Sequence, residues 1–74
     1  MKEYVIRRYI ITDLGRFNFP DEILNGKQKL LHIRHYEEQN FMIDLESKER
    51  DTIQFSKIDS KGNLMIASIE PIAA

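Results

Sequence analysis

The stretch from Leu14 to Leu24 constrains the fold of this chain more than any other part of the sequence. Gly15 indicates a bend, because glycine reaches backbone conformations that other residues avoid. Phe17 and Phe19 then alternate with a polar residue between them, which is the period of a β-strand. We therefore predict a turn at Gly15, followed by a strand whose two phenylalanines point into the core.

A short helical turn is predicted directly after that strand, near residues 20–25. Pro20 is followed by two acidic residues, an order that is typical of a helix N-terminus. Asn25 and Gly26 follow a few residues later, and both tolerate the left-handed conformation that ends helices. The sequence therefore predicts that the helix stops there, held in place by packing of Ile23 and Leu24.

Most of the remaining chain has the composition and alternation of β-strands separated by polar turns. A helix through residues 30–45 is the competing interpretation, but its apolar positions do not form one stripe at helical spacing. We therefore prefer a hairpin there, followed by a charged connector over residues 46–51. The predicted strands are residues 4–12, 29–36, 41–45, 52–58 and 64–69, with a glycine turn of good hairpin chemistry at residues 59–63.

The chain is short enough that its own core leaves it marginally stable. Its 74 residues form a single domain, and they include no cysteine and two histidines. Disulfides and thiolate metal sites are therefore excluded, and a partner chain remains as the usual means of stabilisation. We expect a homodimer.

Charge is distributed unevenly between the two halves of the chain. The net charge is −1, but residues 1–36 carry seven basic and four acidic residues, whereas residues 37–74 carry four basic and eight acidic ones. A basic first half suggests a positive face, whereas the overall balance argues against a strongly electrostatic nucleic-acid binder. No segment is long and apolar enough to span a membrane or to serve as a signal peptide, so we expect a cytoplasmic protein.

No group of residues has the arrangement of a catalytic or metal centre. His32 and His35 would face opposite sides of the predicted strand, so they would not bind one metal ion together. Adjacent Glu37 and Glu38 suit a hairpin tip better than an acid–base pair. No serine lies in a nucleophile motif and no glycine-rich phosphate loop is present. We expect no enzyme activity, no cofactor and no metal.

The first 45 residues resemble the AbrB/MazE-type swapped-hairpin domain of bacterial transition-state regulators and antitoxins. The resemblance consists of a basic strand, an acid, a Gly-Arg loop, alternating apolar residues and a Pro-x-Glu-Ile segment. The matching positions are Arg7, Arg8, Asp13, Gly15, Arg16, Phe17, Phe19, Pro20, Glu22 and Ile23. A second glycine turn around Gly62, within the additional hairpin of residues 52–70, is similar to the same loop, so we also consider a duplicated half-repeat of the MraZ type.

This resemblance implies a small, mainly β, barrel-like domain whose hairpins are exchanged within a homodimer. It further implies that Arg7, Arg8 and Arg16, with Lys2, contact duplex DNA, while Gly15 and Gly62 shape the turns. Arginine suits such contacts because its planar fork pairs with phosphate oxygens or a guanine edge. The function expected from the sequence is a small DNA-binding regulator or antitoxin-like protein. The alternative is a non-enzymatic protein-binding module, for example a phage or accessory protein, that docks through an exposed β-edge.

Overall fold

Residues 2–72 form one antiparallel sheet with a single helix on one face, which confirms the predicted mainly β class. The computed structural model describes residues 2–72. The elements are β1 (Glu3–Thr12), β2 (Gly15–Asn18), β3 (Glu22–Asn25), α1 (Gly26–Glu38), β4 (Met42–Ser47), β5 (Thr52–Ile58) and β6 (Leu64–Pro71). Their order across the sheet is β2-β1-β6-β5-β4, and β3 pairs with the other end of β1. The sheet is open, with edges at β2 and β4, instead of closing as a barrel.

The longest strands pair within the chain and join its two halves. β1 pairs with β6 from Tyr4 opposite Pro71 to Ile11 opposite Leu64. The hairpins β1–β2 and β5–β6 therefore place both glycine turns side by side at one end of the sheet. Gly15 has φ +126° and Gly62 has φ +85°, as the turn chemistry predicted.

The helix lies where the sequence predicted a strand, and the predicted helical turn is a strand. Glu22–Asn25 forms β3, and the thirteen residues Gly26–Glu38 form α1. Asn25 is an N-cap and not a helix stop: its side chain accepts a hydrogen bond from the Gln28 backbone N–H, and the Gln28 side chain accepts one from Asn25. This capping box starts α1 at Gly26, whereas the sequence predicted a helical turn that ends at that position.

A Schellman motif ends the helix. Asn40 takes the left-handed conformation at φ 64°, and its N–H donates to the Glu37 carbonyl over 3.1 Å. The Phe41 N–H donates to the Tyr36 carbonyl over 3.0 Å, and the two rings pack at 4.9 Å between centroids. These bonds satisfy carbonyls that a helix end leaves free, and they direct the chain into β4.

The core lies between α1 and the half of the sheet beneath it. Ile6, Phe55 and Ile69 are fully buried, and Tyr36 of the helix packs on Phe55 with ring centroids 5.4 Å apart. Phe17 and Phe19 are about half exposed, at 53% and 52%, so the prediction that they enter the core was wrong. The helix packs mainly against β3 and β1, so β2, which carries Phe17, is left largely uncovered. Leu24 is buried and Ile23 is exposed, because they lie on opposite faces of β3.

Replacing Gly15 with alanine is expected to destabilise the protein by about 1 kcal/mol, because alanine is strained at this positive φ. A Cβ at Gly15 would meet no atom within 4 Å, so the cost comes from the backbone alone. Gly26→Ala is the matched control: its Cβ also meets nothing within 4 Å, but Gly26 is helical and its φ is ordinary. Thermal melts should show Gly15→Ala below wild type and Gly26→Ala at or above it; equal melting temperatures would contradict the turn geometry.

Candidate functional site

The sheet has one face that α1 does not cover, and we call it the open face. The residue pairings assign side chains to it, because residues directly opposite each other share a face. Tyr4 and Ile6 belong to the core beneath the helix, so Val5, Arg7, Tyr9 and Ile11 lie on the open face.

An apolar strip crosses three neighbouring strands of the open face at the glycine-turn end. Leu64 of β6 is opposite both Ile11 of β1 and Ile58 of β5. Tyr9 and Ile66 are opposite each other in the next row. Ile11 is 40% exposed and Ile58 is 69% exposed. These five residues, which we call the apolar strip, form a contiguous apolar surface that is exposed at Ile11 and Ile58 and half-buried between them, of the kind that binding sites use.

β4 presents apolar side chains at a free edge of the sheet. Within residues 2–72, β5 is the sole pairing partner of β4. Met42, Ile43 and Leu45 are 72%, 48% and 61% exposed. Met42 and Leu45 are opposite open-face residues of β5, whereas Ile43 is opposite Phe55 and therefore lies on the helix side. The edge is apolar on both faces.

A bulge between Ile43 and Leu45 turns Asp44 onto the open face. Its carboxylate accepts a hydrogen bond from the Ser56 hydroxyl over 2.7 Å and a longer one from the Gln54 amide over 3.5 Å. Asp44 has no cationic partner among the described residues. The β4 side of the open face therefore carries an unneutralised negative charge.

The three predicted DNA-contacting arginines lie close together but on two faces. Arg7 and Arg16 are on the open face, whereas Arg8 is opposite Ala67 of the core and lies on the helix side. All three line one small cleft of about 130 Å³, together with Asn18 and Asp21. The three arginines that the sequence predicted as DNA contacts therefore lie around one cleft.

Arg7 and Arg8 are already paired with acids. Arg7 forms ion pairs with Asp21, at 3.4 Å, and with Glu70. Arg8 pairs with Glu22 at 2.9 Å, and its Nε, which is buried, has no hydrogen-bond partner within residues 2–72. Burial raises the pKa of the nearby Tyr36 hydroxyl, and the charge of Arg8 acts in the opposite direction. These pairs neutralise much of the positive charge that the sequence predicted for a binding face.

Arg16 has no acidic partner among the described residues. Its guanidinium lies 3.7 Å from the centroid of the Tyr9 ring, and its Nε donates to the Asn18 side-chain oxygen over 2.9 Å. The cation is therefore held over the Tyr9 ring of the apolar strip by a cation–π contact. Arg16 is the positive charge of the open face that no carboxylate neutralises.

Lys2, the fourth predicted DNA contact, belongs to a structural cluster around Asp51. The Asp51 carboxylate accepts hydrogen bonds from Lys2 at 3.0 Å, from the Tyr4 hydroxyl at 2.6 Å and from Lys29 at 2.5 Å. These bonds, with that from Lys29 contributing most, hold the pKa of Asp51 well below its ordinary value. The cluster ties β1, α1 and the β4–β5 turn together, and nothing in the sequence pattern linked these distant residues.

The histidines lie on a helix instead of the predicted strand. His32 and His35 both contact the Tyr36 ring, with centroids at 6.4 and 5.5 Å. The argument that a strand would separate them was therefore wrong. Even so, no cluster of three or more potential metal-ligating side chains exists within residues 2–72. Among residues 2–72, no helix is long enough and apolar enough to cross a membrane.

Comparisons of this chain with protein-family models, with curated proteins and with solved structures found no match. The candidate site therefore rests on geometry: the apolar strip, the free β4 edge and the arginine cleft.

Proposed function

We propose that the protein is a non-enzymatic protein-binding module, and that an extended segment of a partner adds to its sheet at the outer edge of β4. The observation that carries this proposal is the combination of a free strand edge with three exposed apolar side chains, Met42, Ile43 and Leu45. In such β-augmentation the main chain supplies hydrogen bonds, and alternate side chains supply specificity.

The opposite edge of the sheet is less suited to accept a strand. β2 and β3 have four residues each, and the segment between them contains Pro20, which lacks a backbone N–H. β4 has six residues and lies alone at its edge. Its Asp44 bulge shortens the regular ladder, which favours a short partner segment over a long one.

Replacing Ile43 with lysine is expected to weaken peptide binding at β4 by at least about tenfold, since charged residues on edge strands oppose strand addition. The probe is a peptide selected from a random library on the immobilised protein, then labelled and titrated by fluorescence polarisation. Ile43 faces the helix side, so the change leaves the open face intact. In wild type, bound peptide should slow amide exchange within β4.

Leu30→Lys is the control for this experiment, because Leu30 is 65% exposed but lies on α1, away from β4. It should bind the peptide as wild type does. Peptide affinity that is unchanged in Ile43→Lys, or exchange protection that falls outside β4, would contradict the proposed edge.

A second candidate function is that of a DNA-binding regulator or antitoxin-like homodimer. The specific observation in its favour is that Arg7, Arg8 and Arg16 line one cleft. Against it stands the pairing of Arg7 and Arg8 with carboxylates, since phosphate would have to displace those partners. Arg16 is the best placed of the three for a phosphate contact.

For this second candidate, the variant Arg7→Gln with Arg16→Gln should abolish a gel shift of duplex DNA at low salt. Each phosphate contact that is lost should also lower the slope of log affinity against log salt by about 1. Both side chains are about half exposed or stacked on the surface, so the melting temperature should hardly change. A shift that survives both substitutions would eliminate the arginine cleft as a DNA site.

A further inference from the structure

The order of strands makes the open face symmetrical about β6. β1 and β5 flank β6, and β2 and β4 lie outermost. Consider two copies placed face to face about a two-fold axis parallel to β6. That axis puts β1 over the partner copy's β5, and β2 over its β4. Because the apolar strip spans β1, β6 and β5, it meets the same strip of the second copy.

We propose that the open face is a homodimer interface, in which the two apolar strips pack against each other with β6 at the centre. The contact is isologous: each copy contributes the same surface and receives the same surface. Two sheets packed in this way form a sandwich with the helices on its two outer faces.

The chain exposes more surface than a compact monomer of its mass. A compact monomer of 8.8 kDa exposes about 4,800 Å². This chain exposes 5654 Å², and its shape is elongated, with extents of 39 × 22 × 19 Å. The excess, roughly 900 Å², follows from an elongated sheet that a helix covers on one face only, and a stable interface of standard size buries ~800 Å² on each partner.

Charge complementarity indicates that the open face binds a second copy of the same chain. Arg16 lies on the β1–β2 side of the open face, stacked on Tyr9, and Asp44 lies on the β4–β5 side, bonded to Ser56. Tyr9 and Ser56 flank Ile66 in the same row across the sheet. The two-fold axis exchanges these sides, so each Arg16 faces the Asp44 of the other copy. Arg16 and Asp44, which have no ion-pair partner among the described residues, thus pair with each other across the interface.

This interface shares the strand β4 with the edge proposed above but not its outer backbone. Face-to-face packing covers the open-face side chains Met42, Asp44 and Leu45 and leaves the outer backbone edge of β4 and the helix-side Ile43 free. Ile58→Lys, which should weaken the dimer, should therefore still bind peptide at the backbone edge of β4. Ile43→Lys, which should weaken peptide binding, should still form the dimer.

The test is sedimentation equilibrium of the full chain, which should be a dimer at tens of micromolar. Ile58→Lys places a charge in the apolar strip and should raise the dissociation constant by at least about a hundredfold. Leu30→Lys is the control, because Leu30 is 65% exposed and Ile58 is 69% exposed. It should leave the dissociation constant of the dimer within threefold of wild type. Circular dichroism should show the same fold in both variants. The proposal would be overturned if the wild type were a monomer, or if Ile58→Lys and Leu30→Lys raised the dissociation constant of the dimer equally.

Charge reversal tests the pairing independently of the apolar strip. Arg16→Asp and Asp44→Arg should each raise the dissociation constant by at least about tenfold, because each sets like charges against each other. The variant that carries both substitutions should return to within threefold of wild type. A double variant no tighter than the single ones would refute the proposed orientation.

Discussion

Phe55→Ala is expected to lower the free energy of unfolding by about 3–5 kcal/mol, through lost burial and the cavity left behind. Phe55 is fully buried and packs on Tyr36 at 5.4 Å between ring centroids. A domain of this size has a total stability of roughly 4–11 kcal/mol, so the change removes a large part of it. The melting temperature, followed by circular dichroism, should fall by at least about 12 °C.

Phe17→Ala is the control for Phe55→Ala, because it deletes the same side chain from a strand where Phe17 is 53% exposed. It should cost less than about 1 kcal/mol. Equal losses at Phe17 and Phe55 would mean that the core extends over β2, as the alternation of Phe17 and Phe19 predicted, and would contradict a core that lies between α1 and β5.

Asp51→Asn is expected to destabilise the protein by about 2 kcal/mol, because the carboxylate accepts bonds from two lysines and the Tyr4 hydroxyl. Asparagine is the matched replacement: Asp51 has φ 55°, and asparagine tolerates that left-handed conformation as well as aspartate does. The substitution therefore removes the charge without adding backbone strain. The free energy of unfolding in urea at neutral pH measures the effect.

The pH dependence of Asp51→Asn follows from the lowered pKa of Asp51. A carboxyl whose pKa is lower in the folded state binds fewer protons there, so its stabilisation is complete above the unfolded-state value of about 4 and is lost as the pH falls below it. The stability difference between wild type and Asp51→Asn should shrink below pH ~4. A difference that stays constant from pH 6 to pH 3 would rule out the ionised carboxylate as its source.

Strands with strong local chemistry were predictable from the sequence. β1 has β-branched and aromatic residues, and the β5–β6 hairpin has an acid and a glycine at its turn. Asp59 accepts hydrogen bonds from the backbone N–H groups of Asn63 and Lys61, and these bonds, that from Asn63 most of all, lower the pKa of Asp59. Such local bonds form within a few residues, so the sequence around them suffices to predict the turn.

The helix was missed because its apolar pattern is weak and its start is ambiguous. Leu30 and Leu31 are more than half exposed, whereas Tyr36 is buried, so α1 lacks the clean stripe that predicts a helix. Asn25-Gly26 suits either end of a helix. Gln28, three residues after Asn25, is the signal that identifies the N-cap, through the capping box.

Contacts across the sheet were beyond prediction from the sequence. The sequence predicted DNA contacts at Arg7, Arg8 and Arg16. The acidic partners of Arg7 and Arg8 are set by the pairing of β1 with β6 and by the position of β3. Likewise, Ile11 and Ile58 become neighbours of Leu64 only through register. Alternation predicts that a residue faces one side of a strand, and tertiary packing decides which side is covered.

We propose that the protein acts through the apolar surfaces of its sheet, with Arg16 pairing with Asp44 between copies instead of binding DNA. Sedimentation velocity of the full chain, with and without a duplex DNA at physiological salt, tests this most directly. We predict a dimer whose sedimentation the duplex leaves unchanged. A monomer that co-sediments with the duplex would contradict the claim.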